Sequence, residues 1–401
     1  MPDKTLFQLS FPLLLNAIVG MVVLLVDTRM IAAYSENAAA AVSLANQILL
    51  VAFDLSAFFA AGGVVLISRR LGEEDTIGAR RIAETAMVGN GIISLLLGGM
   101  ILVFAPFLIA AINCPPEIVD DAVVYLRVGA FTILFNGIMM AATACLRGFG
   151  ETRVILVLGL IAYVLYLSSA YVLIFGVGPV PELGVFGSAL ATLMVRGAAV
   201  VALLFVLVWR LSLIPAFWRR SRKGTVARAR QMYELSWPGA VDNLAYGIYQ
   251  VVLVSFIATF NVAMLLSRTF ALVISAVLTV VIMAISQANE VMVGYRFGAG
   301  KESEIAGCVV RASAVAVVLT TAGAVALWMH AKPLVGLFSD QPQIHELVSQ
   351  LLWLTIFVQP FSAVNTILFH SLKAMGDVLV PVAGTQAMMW LLSVPAAYLL
   401  A

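Results

Sequence analysis

Four ionisable residues interrupt long apolar stretches of the chain: Asp27, Asp54, Arg196 and Glu290. A charged side chain in hydrocarbon costs several kcal/mol unless paired or hydrated, so such residues commonly mark ion pathways. Shelter from water favours the neutral form of a carboxyl group, which can then take a proton from one side and release it to the other. Asp27 lies about 26 Å along a helix beginning near Ser10, at about 1.5 Å per residue, which places it toward the outer leaflet. An ion pair with Arg29 is disfavoured, because positions i and i+2 do not share a helix face. Asp54 falls near the middle of its stretch and is expected to face the interior of its bundle, either as an ion-handling acid or as a fixed partner of Arg196. Glu290 lies within about two turns of Arg296. It is expected at an inner gate or on the surface.

The uncharged polar residues Asn136, Gln250, Gln287, Asn289 and Asn365 lie on deep or inner segments, where most such groups hydrogen-bond neighbouring helices and a minority touch cargo. His370, beside Lys373, reads as a satisfied interfacial histidine. Cys114, Cys145 and Cys308 are far apart with no CxxC pair, and three histidines are scattered. A disulfide framework, a metal site or a bound cofactor is therefore not expected. No HExxH, GxSxG or GxxxxGK[ST] occurs, which argues against an enzyme and against ATP as an energy source. The remaining enzymatic alternative is an intramembrane aspartyl-type hydrolase built on Asp27 and Asp54.

The elements that must position these residues follow from composition. Of 401 residues 62% are hydrophobic and 11% charged, with a mean hydropathy of +1.05, which excludes a soluble domain or a disordered chain. A net charge of +2 argues against a nucleic-acid partner. Crossing about 30 Å of hydrocarbon takes roughly 20 helical residues. That predicts spans near 7–32, 41–68, 84–112, 122–146, 154–177, 185–209, 235–259, 264–293, 306–329, 346–372 and 379–401. Lys and Arg concentrate in alternate connections, at Arg69 to Arg81, Arg147 to Arg153, Arg210 to Arg230, Arg296 to Lys301, and Lys373. Facing connections such as 113–121 and 180–184 are acidic or nearly uncharged. Positive loops stay inside, so the N-terminus is expected to be cytoplasmic.

Three motifs recur at one shift of 226 positions: LSFP at Leu9 returns as LSWP at Leu235, RLG at Arg70 as RFG at Arg296, and LRGFGE at Leu146 as LKAMGD at Leu372. The polar residues Asn16 and Asp242 follow the first motif in both copies. Two parallel six-helix units about an axis along the membrane normal are one plan of secondary transporters. The expected organisation is an N-lobe at 1–209, a linker at 210–234 and a C-lobe at 235–401. The counterpart of the sixth span is missing, and truncation is the favoured expectation.

Pro12 followed by Asp27, AAAAVSLANQ, LRGFGETR at 146–153, LGVFGSALAT at 183–192 and SQANEVMVGYRFGAGK at 286–301 together resemble the multidrug and toxic compound extrusion (MATE) family. The match is to its DinF-like branch within the MOP flippase superfamily. The resemblance implies an antiporter that exports amphipathic, cationic organic compounds in exchange for H⁺ or Na⁺ from a bacterial inner membrane, as a monomer. It implies Pro12 as the hinge of a bent first helix, and Asp27 with Thr192 as survivors of the family's cation site. Two further ligand positions of that site fall at Tyr166 and Ala170, which favours protons over sodium. Asp54 joins the coupling candidates. Asn16, Asn136, Tyr163, Tyr166, Arg196, Gln287 and Glu290 are the candidates for cavity or gate. A lipid-linked saccharide flippase is the alternative within the superfamily. It is disfavoured because only Arg196 and Arg268 supply cavity cations.

Overall fold

The computed structural model describes residues 4–112, 114–211, 224–258, 261–339 and 341–400, and among them there is no strand. In lipid every backbone N–H and C=O must find its partner within the protein, which a long helix provides by itself. The first half folds as α1 (Leu6–Tyr34), α2 (Glu36–Ser56), α3 (Phe58–Gly72), α4 (Thr76–Ala111), α5 (Val119–Gly148), α6 (Thr152–Phe175) and α7 (Gly184–Leu211). The second follows as α8 (Thr225–Ala258), α9 (Val262–Gly298), α10 (Glu302–Met329), α11 (Ala331–Val335), α12 (Pro342–Met375), α13 (Leu379–Met388) and, after a π-helical turn at Met389–Ser393, α14 (Val394–Leu400). Eleven segments among the described residues are long and apolar enough to cross a membrane. The chain is an all-α, multi-pass membrane protein. Several helices outrun the apolar stretches at their polar ends, starting at Thr76 rather than 84 and at Thr225 rather than 235. Once nucleated, a helix propagates past the hydrophobic boundary. Residues 212–223 of the expected linker, and Asn113 of the expected outer loop, lie outside the described residues.

The chain divides into two compact units, Leu15–Ser236 and Pro2–Leu14 with Trp237–Ala401. Their division passes through α1 just after Pro12, although the helix continues unbroken through that proline. The first unit is built on Ile31, Leu49, Ile101, Leu126, Ile133 and Ala189. In the second, Ile282, Ile285, Ala312, Ala363 and Ile367 form one cluster, with Ile274, Val335 and Leu352 in another.

The second span is not one continuous helix over 41–68. It breaks at Ala57, between α2 and α3. A break inside hydrocarbon leaves backbone groups that must find partners elsewhere. The Asn90 side chain of α4 accepts from the Phe59 N–H at 2.8 Å, and Asn136 of α5 donates to the Phe53 carbonyl at 3.3 Å and to Ser56 Oγ at 2.9 Å. Asn90 also donates to the Gly137 carbonyl at 3.3 Å, which ties α4 to α5.

The repeat read from the sequence reappears in the backbone. Gly150 and Gly376, one shift apart, take φ of 76° and 94°, while Glu74 and Gly300, also one shift apart, take 61° and 69°. Glu74 is the one non-glycine with positive φ among the described residues, and it holds the place its counterpart gives to glycine. At Gly187 of α7 a Cβ would stand 2.4 Å from the Leu173 carbonyl oxygen, a backbone atom with no rotamer to yield. Gly187→Ala is therefore expected to cost about 1–3 kcal/mol by forcing α6 and α7 apart. A lowered unfolding temperature in detergent would register it.

Candidate functional site

Five helices of the first unit enclose a cavity of about 340 Å³. Four of them contribute residues in pairs spaced so that both side chains emerge on one helix face: Asn46 and Phe53 from α2, Tyr125 and Thr132 from α5, Tyr163 and Tyr166 from α6, and Thr192 and Arg196 from α7. α1 contributes Asp27, the only carboxylate in the lining.

The Tyr166 hydroxyl donates to Asp27 Oδ1 at 2.7 Å. Thr192 donates to the Ser188 carbonyl at 3.1 Å and lines the same chamber as Tyr166. Tyr125 donates to Asn46 Oδ1 at 3.3 Å. On the same wall, Arg196 Nη1 donates to Asn136 Oδ1 at 2.9 Å, and the guanidinium lies 4.2 Å from the centre of the Phe53 ring. The arrangement offers one half-buried carboxyl with a single phenolic donor, open on its other side to a polar-aromatic chamber. Such a group can bind a proton, or a cation can approach it from the cavity.

Of the residues singled out from the sequence, Asp27, Tyr163, Tyr166, Thr192 and Arg196 converge on this chamber. Tyr166 and Ala170, expected to mark a dismantled ion cage, part company: Ala170 is packed into the core, while Tyr166 is the direct partner of Asp27.

Others take different places. Asp54 does not face the interior of its bundle. It is exposed, and Arg196 bonds Asn136 instead of pairing with it. Asp54 sits one residue beyond Phe53, and a step of one residue turns a side chain about 100° around the helix. Asn136 does not line the cavity either. It is buried behind it, closing the α2–α3 break and holding Arg196. Asn136→Ala is expected to cost about 3 kcal/mol by leaving buried groups unpaired, a loss measurable as a lower unfolding temperature. Asn16 touches the site through its backbone, whose carbonyl accepts from the Tyr163 hydroxyl at 3.4 Å.

Gln287 and Glu290 belong to the second unit. Glu290 is not on the surface. It is 1% exposed, 3.0 Å from Lys373 Nζ and 3.2 Å from His370 Nδ1, while Arg296 pairs with Glu304 at 3.3 Å. His370 and Lys373 lie three residues apart on α12 and so present one face to the acid on α9. Beside them Asn289 donates to Ser371 Oγ at 2.8 Å. Asp242 accepts from Gln386 at 2.7 Å, and Arg268 bonds Gln250 at 2.5 Å. Of the remaining polar candidates, Asn365 is exposed.

Sequence reading missed Asn46, Phe53, Tyr125 and Thr132. The seven-residue spacing within each pair was the available signal, since it places polar and aromatic groups on one stripe of an otherwise apolar helix.

The MatE family model matches the chain twice, at residues 12–172 and 238–399, and both matches begin on the repeated proline. The chain is similar to the uncharacterized transporter YisQ of Bacillus subtilis, at 28% identity over 99% of this chain and 88% of that protein. It is also similar to the probable multidrug resistance protein NorM of Thermotoga maritima, at 23% identity over 99% of this chain and 85% of that one. Among solved structures, the Vibrio cholerae MATE transporter VcmN in the bent form shares the fold with a TM-score of 0.88 at 18% identity, over 97% of this chain and 87% of that one. With a hydrophobic helical bundle, an internal repeat and two family matches that together cover most of its length, the chain belongs to the MatE family, whose members are transporters rather than enzymes.

Proposed function

We propose that this protein is a secondary antiporter that exports amphipathic organic compounds, including cationic drugs, in exchange for an inwardly moving cation. The observation that carries the reading is the first-unit chamber, where one carboxyl, Asp27, shares a cavity of about 340 Å³ with aromatic side chains able to hold an organic molecule. Protons are the favoured coupling ion, because Asp27 is the sole acid of the lining and its direct partner is a phenol rather than a second carboxylate. Cargo and proton compete for the chamber, and alternating access converts that competition into exchange, since coupling requires a different affinity in each state. Pro12 serves as the hinge, because its ring removes a backbone donor and weakens the helix where the division between the units passes. Asp54, exposed near the α2–α3 break, stays a secondary coupling candidate. The protein acts as a monomer in a bacterial plasma membrane, with the basic connections and the N-terminus on the cytoplasmic side.

Inside-out vesicles test the reading. A proton gradient imposed alone is expected to drive uptake of a fluorescent cationic dye, and a sodium gradient imposed alone to drive little. Stimulation by sodium only would reassign the ion, and no stimulation by either would end the antiport reading.

A further inference from the structure

The chamber holds a cation that no side chain among the described residues neutralises. Among the described residues, the partners of the Arg196 guanidinium are Asn136 Oδ1, at 2.9 Å, and the face of Phe53. Among the described residues no carboxylate lies within ion-pair distance of it, and the one acid of the lining, Asp27, is bonded to Tyr166. A guanidinium carries five N–H donors, of which this contact uses one. Burying a charge without a counter-charge is costly, and an apolar side chain of similar volume would pack the same wall at less expense. The group is nevertheless held firmly: Asn136 is fixed in turn by Ser56 Oγ at 2.9 Å, and Phe53 supports the guanidinium plane from one side. Tyr163 and Tyr125 flank the cavity in front of it. A fixed planar fork with free donors, facing an aromatic-lined space, matches the geometry of a carboxylate.

We infer that the chamber selects aromatic organic compounds that carry a carboxylate, with the acid seated on Arg196 and the ring system between the tyrosines. This rests on the export reading above and names the chemistry of its cargo, so zwitterionic drugs fit better than simple cations. A volume of about 340 Å³ sits at the lower end of drug-binding cavities, suited to a compound of a few fused rings.

The test is fluorescence titration of the purified full chain in detergent with an aminocoumarin carboxylate and with its methyl ester. The carboxylate is expected to bind about tenfold tighter than the ester, the scale of a charge-assisted hydrogen-bonded pair. Arg196→Met is expected to erase that preference by weakening the acid alone, and Arg196→Lys to keep part of it. Equal affinity of acid and ester for the unaltered protein would overturn the inference, as would an Arg196→Met variant that weakens both alike, the mark of a purely structural arginine. Geranyl pyrophosphate displacing the dye more effectively than geranic acid would also overturn it, by giving the guanidinium to a lipid pyrophosphate. Should Arg196→Met fail to fold, the acid-against-ester comparison on the unaltered protein decides. Binding in detergent needs no gradient, so failure of the acid preference leaves gradient-driven export standing, and failure of export leaves the acid preference to be judged by itself.

Discussion

Asp27→Asn is expected to lower proton-driven dye uptake in vesicles by about tenfold or more, the scale of a coupling free energy of one to three kcal/mol. The substitution removes the only carboxylate from the chamber and keeps its shape. The Tyr166 hydroxyl, now 2.7 Å from Asp27 Oδ1, can donate equally well to an amide oxygen, so the packing of α1 against α6 should survive. An amide takes no proton near neutral pH. The expected signature is therefore intact folding and retained dye binding, with loss of the response to the gradient. Tyr166→Phe is the companion variant, because it removes the donor and leaves the acid. A variant lacking Asp27 that still answers fully to the proton gradient would remove this residue from the coupling role.

Lys373→Met is expected to cost about 3–5 kcal/mol of stability, through the buried acid it leaves behind. Glu290 is 1% exposed, and its neighbours across the α9–α12 packing are Lys373 at 3.0 Å and His370 at 3.2 Å. With the ammonium gone, a carboxylate sealed between two helices loses its nearest cation, and the histidine at 3.2 Å balances its charge only when protonated. The double variant Glu290→Gln with Lys373→Met removes both charges and is expected to recover most of the loss, as buried pairs replaced by neutral residues often do. Unfolding temperatures in detergent for the two single variants and the double one close the cycle. Equal losses that simply add would show that the pair is not coupled.

The parts legible in the sequence are those written in composition and order. Eleven apolar segments, the repeat from Pro12 to Pro238 and an acid deep in the first helix all follow from lengths and spacings, because lipid tolerates only long helices and penalises every charge. The left-handed turns at Gly150 and Gly376 were likewise written in the recurring motif. Rotation of each helix about its own axis was not written there. In water an apolar stripe points to the core, but in a membrane the lipid-facing and protein-facing sides are both apolar, and the pattern no longer tells them apart. Packing alone turned Asp54 out while its neighbour Phe53 faced the chamber, set Asn136 behind that chamber as the brace of a broken helix, and drew Glu290 to Lys373 on a helix far away in sequence. The sequence by itself determined which groups are costly in a bilayer; the tertiary structure decided which of them face one another, because a buried polar group is settled by the partner it reaches and that partner lies on another helix.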